Sequence, residues 1–180
     1  MRIVLLAFSC VLAATAAYAQ QGPPEGTISI CDLLRRPSRY NGKTIAVRGT
    51  YFVGGHGTYL KGEGCDGVLV TKGHPWPSVI WLSLSREETE RRGLDYEHKL
   101  RAEADMSAAV FRARAARDFK SDVAKVTLTY VGLFETRDGF DAQIGKPDDA
   151  AGVEEGFGDQ GYAPAQLFVD SVKDIVVELK

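Results

Sequence analysis

The stretch "TIAVRGTYFV" at residues 44–53 constrains the fold more than any other part of the chain. Ile45, Val47, Gly49, Tyr51 and Val53 share one face of it; Thr44, Ala46, Arg48, Thr50 and Phe52 share the other. A period of two, carried by β-branched and aromatic residues, specifies a half-buried strand. Gly49 stands in its middle. An interior glycine marks a bulge or a sharp coil, the device with which a strand turns a corner in a closed sheet. "YNGK" at 40–43 supplies the turn before this strand, because Asn-Gly accepts positive φ. Glycines at 54, 55 and 57 supply the reversal after it.

Further strands follow. "TYLKGEGC" reads as a short second strand, and "SVIWLSLS" at 78–85 as another. Between them "GVLVTKG" at 67–73 is either a strand or part of a long hairpin, interrupted by "HPWP". From Arg86 to about residue 120 the composition turns to helix formers and charge. "REETERRG" stops at Gly93, and Glu87, Glu88 and Glu90 suit the positive end of a helix dipole. Leu100, Ala104, Ala108, Phe111, Ala115 and Phe119 recur at helical intervals as one apolar stripe, with Arg112, Arg114 and Arg117 assigned to the outer face. Strands return at 125–137 and 165–179, separated by a long Gly- and Asp-rich loop at 138–164. At the front, "SICDLLRRP" predicts a short helix entered near Ser29 or Asp32 and closed by Pro37.

Compartment is read from the first residues. Arg2, the apolar run Ile3–Ala14 and "AYA" at 17–19 make a secretory signal cleaved after Ala19, too short and wrongly flanked for a membrane span. This predicts an exported chain, periplasmic or secreted: a signal at 1–19, a flexible leader at 20–27 and one domain at 28–180. Cys10 leaves with the signal. Cys31 and Cys65 remain as an even pair in an oxidising compartment, which predicts a disulfide. Their spacing suits neither a redox CxxC pair nor a zinc site with His56 or His74. The chain carries 22 Lys+Arg against 24 Asp+Glu, and loss of Arg2 makes it more acidic. Bulk charge of that sign does not hold nucleic acid.

A short helix, three or four strands, a longer helix and two strands are the elements of a mainly β, α+β fold. They match a five-stranded OB-like Greek-key barrel with the longer helix between strands 3 and 4. The runner-up is an α+β sheet with the helix on one face. "NGKTIAVRGTY" resembles the first strand of OB-fold proteins. The wider frame, "CDLL..P.RYNGKTIAVRGTY", "HGTYL", "IWLSL", "GLFETRDGFD" and "GFG..GYAPAQLFVDSV", resembles a group of small exported bacterial proteins of unknown function. Those carry a signal peptide, a cysteine pair and an OB-like barrel. The likeness covers most of 28–84 and 125–175, leaves 86–120 as a candidate insertion, and implies no activity.

Candidate functional residues follow from the barrel expectation. OB barrels present one strand face and the adjoining loops to oligonucleotides or oligosaccharides, with aromatic stacking as a main contact. Phe52, Tyr59 and Trp76 are the aromatics expected to be free, Trp76 between two prolines as the exposed anchor. Tyr51 and Trp81 fall to the core or its edge. Arg48 and Lys61 are the polar or cationic partners, with His56 on the rim as a further contact. The expected function is a non-enzymatic binding or accessory module of the cell envelope, its ligand a glycan, peptide or protein, with no cofactor and no metal. The alternative is a hydrolase using His56 or His74 with a carboxylate such as Asp66. No GxSxG, HExxH or phosphate loop is present. The acidic loop "DDAAGVEEGFGDQG" lacks the spacing of a calcium loop.

Overall fold

A computed structural model describes residues 26–55, 57–71, 73–83, 86–137, 156–158 and 161–180. The signal at 1–19, most of the leader, His56 and most of the 138–164 loop lie outside the described residues. The protein is a mixed α+β fold. Its elements run β1 (Thr27–Ser29), α1 (Ile30–Arg35), a 3-10 turn (Pro37–Tyr40), β2 (Thr44–Gly54), β3 (Gly57–Lys61), β4 (Val70–Thr71), β5 (His74–Pro75) and β6 (Val79–Ser83). Then come α2 (Arg86–Arg91), α3 (Tyr96–Arg117), β7 (Val123–Thr136) and β8 (Ala165–Leu179). Ser29 caps α1 by accepting a hydrogen bond from the Asp32 amide at 3.1 Å.

The main sheet has six strands in the order β1-β2-β3-β6-β8-β7, and β2 also pairs with β7. Hydrogen bonding therefore runs in a ring through β2, β3, β6, β8 and β7. The sixth strand is β1, which lies parallel to β2 with Ile28 opposite Val47. The sequence reading placed no strand there, because three residues before a cap carry no periodicity. A second surprise is "HPWP": His74 and Pro75 form a strand pair with Thr71 and Val70, a small two-stranded sheet of their own.

Gly49 lies where β2 passes from one neighbour to the other. At Thr50 the strand pairs with both neighbours at once, Lys61 on β3 and Thr127 on β7. A Cβ at Gly49 would sit 2.8 Å from Leu60 Cγ and 2.9 Å from the Lys61 carbonyl oxygen. Only glycine lets β3 approach so closely. Leu33, Leu34, Val47, Leu60, Ile80, Leu128, Phe134 and Leu167 fill the interior. The Cys31–Cys65 disulfide ties the start of α1 to the turn after β3, with Cα atoms 5.7 Å apart.

Helix α3 forms where its periodicity places it, but its orientation corrects the expected burial. Ala104, Phe111, Ala115 and Phe119 face outward with Leu100, and Phe111 is 61% and Phe119 67% exposed. The buried side carries Lys99 and Ala102, with Met106 and Val110 packed against the core. Two tethers set this rotation. Near the helix start, His98 Nδ1 lies 2.7 Å from Asp170 Oδ1 on β8. At its end, Arg117 Nη1 donates to the Leu179 carbonyl at 3.1 Å. From His98 to Arg117 a helix rises about 28 Å. From Asp170 to Leu179 a strand extends about 30 Å. The two elements therefore run alongside each other in step, and the polar tethers decide which face turns inward. Lys99 tolerates burial because its ammonium lies 3.3 Å from Glu103 and 4.9 Å from the Tyr96 ring centre.

Candidate functional site: an aromatic cleft beside the first hairpin

A cleft of about 680 Å³ opens beside the β2–β3 hairpin. Its base is built by the "HPWP" segment. The Trp76 amide donates to the Leu69 carbonyl at 2.9 Å, continuing the β4–β5 pairing by one step. That turns the indole inward, and Trp76 is only 2% exposed. A buried indole N–H needs an acceptor, and Nε1 donates to the buried Thr71 Oγ1 at 2.7 Å. Trp76 is therefore not the exposed anchor that its two prolines suggested. It is a fixed base, edged by His74 at a ring distance of 4.8 Å, and Pro75, Pro77 and Val79 line the cleft around it.

The opposite wall is an aromatic stack outside the ring of strands. Tyr59 is its centre, 6.2 Å from Phe52, 5.2 Å from Trp81 and 5.4 Å from Tyr162. Tyr59 is 1% exposed, which corrects the expectation of a free rim residue. It is covered because the segment carrying Tyr162 folds back over β3 and β6, with Phe157 bridging Ala163. Trp81 is clamped between two glycines. A Cβ at Gly57 or at Gly158 would approach its ring to 2.2 Å, and both glycines hold positive φ, +128° and +78°. Of the glycines that reverse the chain after β2, Gly57 is the one that packs against the indole, joined by Gly158 from the late loop. What the stack leaves open to the cleft are Phe52 and Tyr162, 48% and 45% exposed.

Polar groups reach the same space from Lys61, Asp66 and His74. Asp66 Oδ1 accepts from the Ser78 amide at 3.3 Å, which fixes the turn above Cys65. No carboxylate among the described residues stands within ion-pair distance of His74, so the acid–base pair needed for a hydrolase is not assembled there. His56 lies outside the described residues. Arg48 is elsewhere: Nη1 donates to Thr129 Oγ1 at 3.3 Å and to the Asp174 carbonyl at 3.2 Å. Asp174 holds a left-handed backbone, φ 53°, so Arg48 braces an irregular part of β8. Of the five predicted ligand contacts, Phe52 lines the cleft openly, Trp76 lines it as its base, and Tyr59 supports it from behind.

Two features escaped the sequence reading. Tyr162 sat in a loop read as solvated and acidic; the aromatic between glycine and proline in "GYAP" was its signal. His98 bridges two carboxylates, Asp170 and, at 3.6 Å from Nε2, Asp95. With both ring nitrogens engaged it is a brace, beside a shallow hollow of about 180 Å³.

Charges outside the cleft are local. Glu63 has its carboxyl held below the usual range by the Lys125 ammonium, 2.5 Å away, and by Thr50. Burial pushes the Tyr51 and Tyr130 hydroxyls up. Among the described residues no group of three or more His, Cys, Asp and Glu is placed to hold a metal ion. No helix among them is long and apolar enough to cross a membrane. Compared with family models, with curated proteins and with solved structures, the chain matches none.

Proposed function

We propose that the chain is an exported, non-enzymatic binding module, that its ring of strands is an OB-type barrel, and that the aromatic cleft holds a glycan segment. The strand order, the parallel β6–β8 pair and the helix between β6 and β7 support the barrel reading. So does the likeness to exported barrel proteins drawn from "NGKTIAVRGTY" and its frame. The observation that carries the function is the cleft itself. Its volume falls within the roughly 300–1,000 Å³ of ligand pockets. Two exposed rings, Phe52 and Tyr162, stand on a base fixed by the Trp76–Thr71 hydrogen bond, with Lys61, Asp66 and His74 between them. Sugars present apolar C–H faces next to hydroxyls, which is the complement of rings interleaved with short polar groups.

Titration calorimetry of residues 20–180 against cell-wall glycan fragments and against a proline-rich peptide tests this. The expected outcome is saturable glycan binding, weakened about fivefold by Phe52→Ala or Tyr162→Ala, since an aromatic contact contributes about 1 kcal/mol beyond burial. Peptide binding at the same residues would replace the glycan by a peptide. Binding of neither, or glycan binding untouched by both variants, would remove the cleft from the function.

A further inference from the structure

We infer that the outward stripe of α3 is a self-association surface through which two copies pair antiparallel. Leu100, Phe111 and Phe119 are all more than a third exposed on one side of the helix, joined by Ala104 and Ala115. Phe111 and Phe119 already pack edge to face at 5.6 Å, extending the patch past the helix end. A cluster of large apolar side chains in water marks an interaction surface, and the tethers to β8 prevent the helix from turning it inward.

The charges bordering the stripe identify the occupant. On one flank of the stripe the exposed Asp105 of the first half and the exposed Arg112 of the second carry opposite signs, so that flank complements a reversed copy of itself. A twofold axis makes such an interface isologous. Side-chain sizes agree. Crossing the helices just before Ala108 sets Phe111 of one copy on Ala104 of the other and Leu100 on Ala115, with the two Ala108 residues close to the axis. Asp105 and Arg112 sit seven residues, two helical turns, apart on the same flank. No ion pair joins either of them to another described residue. In the reversed copy Arg112 arrives opposite residue 103, about 3 Å along the axis from Asp105. Each copy thus supplies the counter-charge that the other lacks, twice by symmetry.

Sedimentation equilibrium of residues 20–180 over a wide concentration range tests the pairing. The expected result is a reversible dimer. Phe111→Glu, at an exposed position, raises the dissociation constant at least roughly tenfold. Asp105→Arg and Arg112→Asp each weaken the dimer, and the two together restore it. Ala108→Cys cross-links into a covalent dimer on mild oxidation. A monomer at every concentration overturns the inference. So does a dimer indifferent to Phe111→Glu and to the charge exchange. Recruitment of a monomer to anionic phosphatidylglycerol vesicles through Phe111 would likewise overturn it, assigning the stripe to a lipid surface.

Discussion

Removing the Cys31–Cys65 bridge is the perturbation whose magnitude follows most directly from the structure. The bridge spans 34 residues. Applying the chain-entropy relation to that span gives about 3.8 kcal/mol, lost because the unfolded chain regains the freedom of the open loop. In a domain of this size each kcal/mol moves the midpoint about 2–4 °C, so Cys31→Ser/Cys65→Ser should melt about 8–15 °C lower. The folded state has independent holds on the same region. Ile30, Leu33 and Leu34 are fully buried, and Gly62 packs within contact of Ile30. α1 should therefore stay docked once the protein is folded. Scanning calorimetry reads the midpoint, and hydrogen exchange reads where protection is lost. The expected pattern is a loss spread over all globally protected amides, because the effect lies in the unfolded state. A shift below about 2 °C, with the wild-type bridge verified by its mass and by resistance to alkylation, would refute the entropic reasoning. Fast exchange confined to α1, with the rest of the sheet unchanged, would show that the bridge pins one helix and does little else.

Two further outcomes are expected. Gly158→Ala adds a Cβ that would lie 2.2 Å from Trp81 on a backbone at φ +78°. It should cost about 1–2 kcal/mol from the backbone alone, red-shift the tryptophan emission and abolish cleft binding as Tyr162 is displaced. Gly55→Ala, which meets nothing within 4 Å, is the silent control, and equal behaviour of the two variants would sink the clamp. Burial raises the Tyr130 hydroxyl, with Tyr51 raised beside it. The folded state therefore holds a proton that the unfolded chain releases near pH 10. Stability from this source is complete below pH 10 and falls above it, so Tyr130→Phe should flatten the alkaline limb of urea midpoints. An unchanged slope would place the alkaline loss elsewhere.

The strands were legible because their faces differ in polarity. β2 and β6 were found from alternation, and Gly49 from its misfit in β2. β1 and β5 were not, since two or three residues carry no period, and β4 lies within the stretch 67–73 that was read as either a strand or part of a long hairpin. The same limit governs the cleft. Phe52 was legible as an aromatic on the outward face of a strand. Trp76 was misread because two prolines constrain a backbone without saying which side of it faces water. The acceptor that turns the indole inward, Thr71, acquires that role only once the β4–β5 pair has formed. Tyr59 was misread for a related reason. Its cover comes from Tyr162 and Ala163, about a hundred positions away.

α3 shows how a correct pattern can be assigned to the wrong environment. Its apolar period is real, and burying that stripe on the sheet would be the usual solution for a helix beside a core. The opposite side holds Ala102, Met106 and Val110, a thinner apolar set, flanked by His98, Lys99 and Arg117. Each of those three side chains has a partner in the observed rotation: Asp170, Glu103 and the Leu179 carbonyl. Turning the helix to bury Phe111 would separate His98 from Asp170 and Arg117 from the Leu179 carbonyl and carry Ala102, Met106 and Val110 out of the core, while Lys99 would keep Glu103 one turn along the same helix. The exposed stripe is the consequence of that balance. It persists as exposed apolar surface, the face that the proposed pairing would cover.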